Sequence, residues 1–522
     1  MLRHCSVLAT LPARSPSTMR LPPHWTFLSY REFSSSLPRP CTSAELTSQG
    51  IDLKGREVTV PTGVFINNEW RTSADSSYFS VLNPSTGKEI TTVSHAKTAD
   101  VDAAVSAART AFKTTWGNNT TPEERARLLN KLADLMERDI QFLAELESLN
   151  GGKGVRIARE MDIADAIGCL RYYAGWAGKI HGETIEVGPT KQAYTVLEPI
   201  GVCGQIIPWN YPIGMWSWKV GPALAAGCTI VMKPSELTPL TCLALCDLIV
   251  QAGYPAGVMN VVPGYGSTTG AAISSHMDVD KVTLELGGKS PVIIFPSADI
   301  EEAANWTALG IFFNSGQDCT AGSRVFVHES TYDAFVAKLV ERAKACSIGD
   351  PLNESTSFGT LISAAQRDKV MTYVETGVRE GAKIATGGKK WHEENGGFYF
   401  EPTVLTECKP EMTQVQEEIF GPVCSVLRFT SEEEVLKLAN DSPYGLAAGL
   451  FTNDHKQALR VSRALEAGTV WVNSYNLLSN GVPFGGYKQS GLGRELGLQG
   501  IKEYMAVKAV HHNISEELSW AI

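Results

Sequence analysis

The hydrophobic and polar positions of this chain alternate between short apolar runs and segments with helical spacing. From about Gly50 onward, the strand-like runs are separated by segments such as LTCLALCDLIVQAG, and they include GVCGQII, CTIVM and GVMNVV. A Gly-rich loop, PGYGSTTG, is predicted to open a further helix. Short strands that alternate with helices predict a parallel sheet, with ligands at the carboxyl ends of its strands. We therefore expect an α/β protein.

The clearest helix start lies in TPEERARLLNKLADLMERDIQFLAELESL. Thr121 and Glu124 form a capping-box pattern, and Pro122 occupies the first helical position. The apolar residues that follow recur at helical spacing, namely Leu128, Leu132, Leu135 and Met136.

A second α/β stretch is predicted from KSPVIIF to about residue 490, with helices near Tyr332–Ala345 and Glu432–Leu438. The tail, EYMAVKAVHHNI, has the pattern of a strand that could pair with another part of an assembly.

Length and composition narrow the class of protein. A chain of 522 residues is too long for one core, so two or three domains are expected. The net charge of −10 comes without a long basic run, which argues against nucleic acid as the main partner. No stretch approaches about eighteen uninterrupted apolar residues, so no membrane span is predicted.

The eleven cysteines are scattered singly. The pair with the closest spacing, Cys242 and Cys246, lies in an apolar helix-like segment without nearby histidines, so no zinc site is predicted. An odd count without a secretory signal indicates a reducing compartment, in which most of the thiols act as small core residues.

The first 48 residues differ from the rest in composition. They hold five arginines, nine serines and no lysine, and their acids are Glu32 and Glu45. This composition is typical of a mitochondrial transit peptide. The prolines between Pro12 and Pro23 would break an amphipathic helix, so an upstream gene-model error and a cytoplasmic location stay open as the alternative.

Two residues stand out chemically. Glu285 places a carboxylate inside DKVTLELGGKSP, a run whose apolar residues otherwise predict a buried strand, where a charge needs a partner or a function. Cys319, in GIFFNSGQDCTAGSRVFV, lies between an apolar run and a strand-like one. On a turn with backbone N–H groups nearby, such a thiol could be held as a reactive thiolate; the alternative is one more buried cysteine.

These two segments, VTLELGGKSP and FFNSGQDCTAGSR, resemble the paired active-site signatures of the NAD(P)-dependent aldehyde dehydrogenase superfamily. Four further motifs occur in the family's order: IIPWNYP, VMKPSELTPL, QEEIFGPV and PFGGYKQSGLGRELG. The resemblance covers roughly residues 60 to 512. It implies a Rossmann-like parallel-sheet domain, an α/β catalytic domain and a small bridging β element that assembles homodimers or homotetramers.

The resemblance implies a role for each catalytic position. Cys319 would be the nucleophile that adds to an aldehyde, and Asn210, with the Cys319 N–H, would stabilise the oxyanion. Glu285 would be the general base that activates water against the thioester, and an apolar strand would raise its pKa; a salt-bridged structural acid is the alternative. Lys219 and Glu495 match positions that relay protons, or are ordinary structural charges.

The cofactor positions carry over in the same way. Lys233 and Glu236 would hold the adenosine ribose, and Glu236 favours NAD because a carboxylate repels the 2′-phosphate of NADP. Glu418 and Phe420 would hold the nicotinamide ribose, and Trp209 also falls among the cofactor-binding positions.

The substrate is less clearly indicated. The family's substrate tunnel corresponds to Tyr211, Met215 and Trp218, although core packing explains these side chains equally well. Asp318 and Thr320 flank the nucleophile, and an acid beside it could favour a cationic aldehyde.

The resemblance also divides the chain into parts. The dinucleotide-binding domain would comprise residues 49–180 and 200–286, and the catalytic domain residues 287–490. The bridging element would comprise residues 181–199 and 500–522.

One segment of the family pattern is absent. In the family, a strand that ends in a Gly-Ser-Thr turn and the helix that follows it separate HMDVDKV from TLELGGKS, and that helix points its N-terminus at the cofactor pyrophosphate. Here about two dozen residues are absent between Val282 and Thr283, enough for one strand and one crossover helix.

A mis-called intron or an unusual splice form would explain the gap. If the gap is real, NAD binding and sheet folding would be impaired. The protein could then act as a thiol esterase or as a non-catalytic assembly partner.

Overall fold

The computed structural model of the protein describes residues 47–283 and 286–516. Glu285 therefore lies outside the described residues, as does the predicted transit peptide up to residue 46.

The strands are mostly short, as in α/β proteins. In chain order they are β1 (Ser48–Leu53), β2 (Arg56–Pro61), β3 (Val64–Ile66), β4 (Glu69–Arg71), β5 (Tyr78–Leu82), β6 (Glu89–Ser94), β7 (Thr184–Ile185), β8 (Lys191–Pro199), β9 (Val202–Ile206), β10 (Thr229–Lys233), β11 (Met259–Val261), β12 (Lys281–Thr283), β13 (Pro291–Ile294), β14 (Arg324–His328), β15 (Lys383–Thr386), β16 (Thr403–Thr406), β17 (Val423–Phe429), β18 (Tyr444–Gly445), β19 (Ala447–Phe451), β20 (Thr469–Val472), β21 (Tyr487–Lys488) and β22 (Met505–Asn513).

The α-helices alternate with these strands. They are α1 (Thr98–Thr114), α2 (Pro122–Arg138), α3 (Ile140–Gly151), α4 (Val155–Ile157), α5 (Ala164–Ala174), α6 (Pro212–Ala226), α7 (Leu240–Ala252), α8 (Ala271–Ser275), α9 (Ile300–Phe312), α10 (Tyr332–Lys344), α11 (Ala364–Arg379), α12 (Thr413–Gln416), α13 (Glu432–Asn440), α14 (His455–Ala464) and α15 (Gly497–Lys502). Short 3₁₀ segments span Gly117–Asn119, Phe313–Gly316 and Glu393–Asn395, and π-helical segments span Ala158–Ile163 and Gly266–Gly270.

The first sheet has six strands in the order β12-β9-β10-β11-β3-β4. The four strands from β12 to β11 run parallel, and β3 and β4 extend the sheet antiparallel. Strands β10 and β11 are buried along their whole length, whereas all three residues of β12 are only half-buried because this strand forms the edge. The run around Val282 is therefore not the buried strand that its apolar residues predicted.

The second sheet has seven strands in the order β15-β16-β17-β14-β13-β19-β20, all parallel except β15. Successive residues of β13 enter different apolar cores, Ile293 one and its neighbours Val292 and Ile294 the other. Because side chains alternate between the faces of a strand, this sheet is covered on both faces.

The third sheet is a small antiparallel one in the order β22-β8-β7. The predicted tail strand is confirmed as β22, and its nine residues pair with β8 from Met505↔Pro199 to Asn513↔Lys191. Together the three sheets confirm the predicted α/β class, with a Rossmann-like sheet, a second α/β sheet and a small separate β element.

The helix signals are also confirmed. The side chain of Thr121 accepts a hydrogen bond of 3.2 Å from the Glu124 N–H, and Pro122 is the first residue of α2. The Gly-rich loop opens a further helix as predicted, which consists of a π-helical segment and the five residues of α8. No helix in the described part of the chain is long and apolar enough to cross a bilayer.

Candidate active site

Cys319 lies on a turn between the 3₁₀ segment that follows α9 and strand β14. The residue is half-buried, so its thiol is accessible to a substrate, whereas seven of the other eight described cysteines are buried, Cys203 and Cys242 among them. We call residues 314–320 the cysteine turn.

The backbone of the cysteine turn is strained and tightly packed. Asn314 and Ser315 adopt left-handed φ values of 50° and 55°, which L-residues rarely do, and Gly316 follows with φ 68°. A Cβ on Gly316 would lie 2.2 Å from the Gly421 carbonyl oxygen, so only glycine fits here. The packing around the turn therefore holds Cys319 in one place.

Asn210 follows the carboxyl end of β9 and reaches the same turn. Its Nδ2 donates to the Gln317 carbonyl over 3.0 Å, and its own carbonyl accepts a bond of 2.9 Å from Asn314 Nδ2. The predicted oxyanion donor thus lies buried against the residues that precede Cys319.

The glycines after Glu285 also contact the cysteine turn. A Cβ on Gly288 would lie 2.4 Å from the Cys319 carbonyl oxygen, and the Gly288 N–H donates over 2.8 Å to Glu418. Three distant motifs therefore meet at one point, although Glu285, two residues before Gly287, lies outside the described residues.

Glu418 and Phe420, the predicted nicotinamide-ribose residues, lie next to these glycines. Burial raises the pKa of Glu418, and the Gly288 hydrogen bond partly opposes this. Phe420 has a φ of 57°, a strained value for a bulky residue, and its carbonyl is held by a 2.7 Å bond from Gln366. The Phe420 ring meets Trp209 edge-on at 5.2 Å.

Lys233 and Glu236 lie at the carboxyl end of β10. The Lys233 ammonium donates to the carbonyls of Pro234 and Gly264 at 2.8 and 2.9 Å and lies 3.5 Å from Glu236. Burial lowers the pKa of Lys233, and Glu236 partly opposes this. The structure therefore brings the two predicted adenosine-ribose residues together where parallel sheets bind ligands.

These two groups are the ones predicted to hold the two ends of a dinucleotide. The segment that the family pattern places at the middle of the dinucleotide, at its pyrophosphate, is shortened in this chain. Only seven residues, 284–290, connect β12 to β13, too few for the crossover helix that the family pattern places here. We call this segment the edge connection.

Cys319 lines a cavity of about 430 Å³. The predicted tunnel residues Tyr211, Met215 and Trp218 all line it, and so do both neighbours of the nucleophile, Asp318 and Thr320.

Lys219, which is buried, and Glu495, which is half-buried, form an ion pair at 2.5 Å. Glu495 also lines a second cavity of about 320 Å³, together with Thr283 and Leu286, the described residues that flank Leu284 and Glu285. The pair therefore lies near the chain position of the predicted base, while its relay role stays a prediction.

Some residues of the site are missed by sequence reasoning. Asp162 and Asp165 line the Cys319 cavity, and Lys153 forms an ion pair with Asp162. Only the structure marks these residues. The helix that carries Asp162 and Asp165 contains the π-helical segment Ala158–Ile163, and such segments are frequent at functional sites.

The fold and the site thus define an α/β protein with a cysteine nucleophile candidate beside a nucleotide-binding sheet. A family model described as "Aldehyde dehydrogenase family" matches residues 70–284 and 278–510. The chain belongs to the aldehyde dehydrogenase family, as its motifs predicted, and the general activity of that family is oxidation of an aldehyde.

Relatives are similar over most of their length. An aldehyde dehydrogenase of Emericella nidulans is 51% identical, with 88% of this chain and 96% of that protein covered. Aldehyde dehydrogenase 1A1 of Mus musculus is also 51% identical with the same coverage. The NAD⁺ complex structure of an aldehyde dehydrogenase from Bacillus cereus has a TM-score of 0.86 and 46% identity, and covers 90% of this chain and 100% of that one.

The comparisons also agree with the absence of a segment between Val282 and Thr283. The family match is split into two segments that meet at residues 278–284. The alignment with the Emericella nidulans protein extends over 482 positions but includes 88% of the 522 residues, about 459, so about two dozen positions have no counterpart in this chain.

Proposed function

We propose that the protein oxidises an aldehyde to the carboxylic acid with NAD, through a thioester on Cys319. The observation that carries this proposal is the position of Cys319, half-buried on a strained turn in the wall of a 430 Å³ cavity. Asn210 lies next to this turn and Gly288 packs against the carbonyl of Cys319 itself.

The first step is addition of the Cys319 thiolate to the carbonyl carbon of the substrate, which turns the carbonyl oxygen into an oxyanion. The Asn210 amide carries two N–H donors, and one of them is already bonded to Gln317. The second hydrogen and the Cys319 N–H are the donors that we assign to the oxyanion. The product of this step is a thiohemiacetal.

NAD, when bound, supplies the acceptor for the hydride that leaves this adduct. Lys233 and Glu236 would hold its adenosine ribose, and the carboxylate of Glu236 favours a free 2′-hydroxyl. Glu418, Phe420 and Trp209 would hold the nicotinamide end. Loss of the hydride leaves the acyl group on Cys319 as a thioester.

Water then hydrolyses the thioester to release the carboxylic acid and restore the thiol. We assign the activation of this water to Glu285, the carboxylate two residues before the glycine that packs near Glu418. The Lys219–Glu495 pair, at 2.5 Å, is our candidate for passing the proton onward.

The test is a pair of cysteine variants. We expect Cys319→Ser to lose NADH formation from hexanal and labelling by iodoacetamide, whereas Cys346→Ser should keep both. Cys346 is a fair control because it is also half-buried but does not line the Cys319 cavity. Continued NADH formation by Cys319→Ser would contradict the proposal.

A second candidate function is thiol-dependent ester hydrolysis without a cofactor. The short edge connection favours it, because the chain there has no room for a helix that binds the pyrophosphate. Hydrolysis of p-nitrophenyl acetate by the wild type but not by Cys319→Ser, together with no NADH from hexanal, would support this candidate over the dehydrogenase.

The three-stranded sheet supports a proposal about assembly. Seven of the nine residues of β22 are exposed along one long strand, including Val507. We propose that residues 181–199 and 500–522 form a bridging element of a homodimer or homotetramer, next to the two domains proposed above. Light scattering of the full chain would give the assembly size, and a monomer would contradict the proposal.

Co-purification of an inactive chain with a full-length relative would indicate the assembly-partner alternative.

We propose mitochondrial import through residues 1–48, on their arginine-rich and acid-poor composition. N-terminal sequencing of the protein from fractionated cells tests this. An intact N-terminus in the cytosolic fraction would contradict it.

A further inference from the structure

The walls of the Cys319 cavity carry an unusual charge balance. Four of its lining residues are acidic, namely Glu160, Asp162, Asp165 and Asp318. Among the described residues that line this cavity there is no lysine, arginine or histidine. A substrate that enters it therefore meets negative charge.

Two of the four acids are matched by nearby cations. Asp162 forms a buried ion pair with Lys153, whose ammonium also lies 4.0 Å from the centre of the Tyr211 ring, behind the cavity wall. Glu160 is exposed and lies 3.5 Å from both Arg156 and Arg159. These two acids add little to the field inside the cavity.

Asp318 is held by uncharged groups. It accepts bonds of 3.0 Å from the Tyr211 hydroxyl, 2.9 Å from Asn476, and 2.9 and 2.8 Å from the N–H and hydroxyl of Thr320. Neutral donors orient the carboxylate but leave its charge in place.

Asp165, on α5, is held in the same way. It accepts from Asn480 over 3.2 Å and from the Trp218 indole N–H over 3.5 Å. Asp165 is an exposed residue that lines the cavity, and partial burial of its carboxylate raises its pKa, which the hydrogen bonds from Trp218 and Asn480 partly oppose. A charge in such a place gains most from a cation that brings little water with it.

Aromatic rings complete the wall. Trp218, whose N–H points to Asp165, meets Phe484 edge-on at 5.2 Å, and Tyr211 stacks with Phe313 at 6.5 Å. Ring faces attract weakly hydrated cations, Trp most of all. The carboxylate and the indole therefore act on the same part of a ligand.

We propose that the preferred substrates are aldehydes that carry an ammonium group a few methylene groups from the carbonyl. The ammonium group binds in the cavity beside Asp165 and the neighbouring Trp218, while the carbonyl reaches Cys319. This assignment rests on the proposed function and makes Asp165 the residue that determines specificity. Leu477, Leu478 and Met161 also line the cavity, so a preference for uncharged chains is the contrary outcome.

The test uses two substrates of one shape, 4-(trimethylammonio)butanal and its carbon isostere 5,5-dimethylhexanal. We expect the wild type to favour the cation in kcat/KM by at least about tenfold. Asp165→Asn, which keeps the size of the side chain, should lose most of this preference, measured as the ratio of kcat/KM for the cation to kcat/KM for the isostere. Asp134→Asn is the control variant. It removes a carboxylate whose side chain is 68% exposed and lies outside the cavity, so it should keep the preference.

Binding of the two corresponding alcohols separates this inference from the proposed function. Calorimetry should show tighter binding of the trimethylammonio alcohol to the wild type than to Asp165→Asn. If neither aldehyde yields NADH but the alcohols still differ in this way, the cation site stands and the dehydrogenase proposal falls. Equal binding of the two alcohols by the wild type, or an Asp165→Asn variant that keeps the preference, would overturn the inference.

Discussion

The cysteine turn and the edge connection differ in how tightly the chain is packed. In the turn, three consecutive residues hold left-handed conformations, and a Cβ on Gly316 would enter the backbone of Gly421. At the edge, β12 is three half-buried residues long, and the connection leads past a 320 Å³ cavity lined by the exposed Leu286 and Leu492.

The two regions support different parts of the proposed function. The cysteine turn carries the proposed nucleophile, and the edge connection lies beside the sheet that carries the proposed cofactor-binding residues. The proposed nucleophile precedes β14 of the seven-stranded sheet, which is covered on both faces. The proposed adenosine-ribose residues depend on the six-stranded sheet, whose edge lies next to the shortened segment. A change at the edge can therefore weaken cofactor binding and leave thiol chemistry intact, which is why the esterase alternative keeps Cys319 and Asn210.

The largest effect is expected in the cysteine turn. Gly316→Ala would place a methyl group 2.2 Å from a backbone oxygen at a residue with φ 68°. We expect the free energy of unfolding to fall by at least about 3 kcal/mol, measured by urea denaturation.

Gly151→Ala is the matched control, because a Cβ there would meet nothing within 4 Å. It should change stability by less than about 1 kcal/mol. If Gly316→Ala behaved like this control, the turn would not be the rigid part of the molecule.

The edge connection offers the second prediction. Insertion of a strand, a Gly-Ser-Thr turn and a helix, about two dozen residues in all, between Val282 and Thr283 should supply N–H donors and the positive end of a helix dipole. We expect the Kd of NAD to fall about a hundredfold by calorimetry. Labelling of Cys319 by iodoacetamide should change little, and an unchanged Kd would mean that the gap does not limit cofactor binding.

The pattern of apolar runs was enough to predict the fold class. The strands around Val202, Ile230 and Met259 and the capped start of α2 follow from local rules of periodicity and capping. The site was predictable where motifs carry it: Asn210, Cys319 and Glu418 meet at the cysteine turn, although their roles stay predictions.

Other features could not be predicted because they depend on three-dimensional packing. The Lys153–Asp162 pair joins residues that show no charge pattern in the sequence, and Asp165, which follows a π-helical segment, lines the cavity through the packing of its helix. The gap after Val282 is also invisible to local rules, since the chain still alternates strands with helices, and only the family pattern shows it.

Lys289, near the end of the edge connection and two residues before β13, allows a pH test of how tightly the chain is packed where it enters the second sheet. It is 2% exposed, its ammonium donates to the Gln414 carbonyl over 2.8 Å, and burial lowers its pKa to about 7. Between pH 7 and the ordinary lysine pKa, the unfolded chain therefore binds a proton that the folded chain has lost, so stability contributed by this group rises with pH.

We expect the free energy of unfolding of the wild type to rise from pH 7 to pH 9 by up to about 2 kcal/mol more than that of Lys289→Met. Urea denaturation at the two pH values measures this. Lys383→Met, which removes an exposed lysine, should follow the wild type. Equal pH slopes for the wild type and Lys289→Met would show that water reaches this lysine.

The smallest effect is expected at β12 itself. Lys281 ties this strand to the end of α15 through bonds of 2.6 and 2.5 Å to the carbonyl and carboxylate of Glu503. Both side chains are partly exposed, and ion pairs of this kind contribute little. Lys281→Met should therefore lower stability by about 0.5 to 1 kcal/mol in urea denaturation.

The matching pair in the second region is Lys338 and Glu301, 2.9 Å apart between α10 and α9 and similarly exposed. Because α9 and α10 pack on a sheet covered on both faces, Lys338→Met should cost no more than Lys281→Met. The three half-buried residues of β12 have few other contacts. Lys281→Met should therefore also raise the rate of amide hydrogen exchange in β12, with no change in β14. A loss above about 2 kcal/mol for Lys281→Met would show that the edge is as firmly held as the cysteine turn, and the contrast between the two regions would then fail.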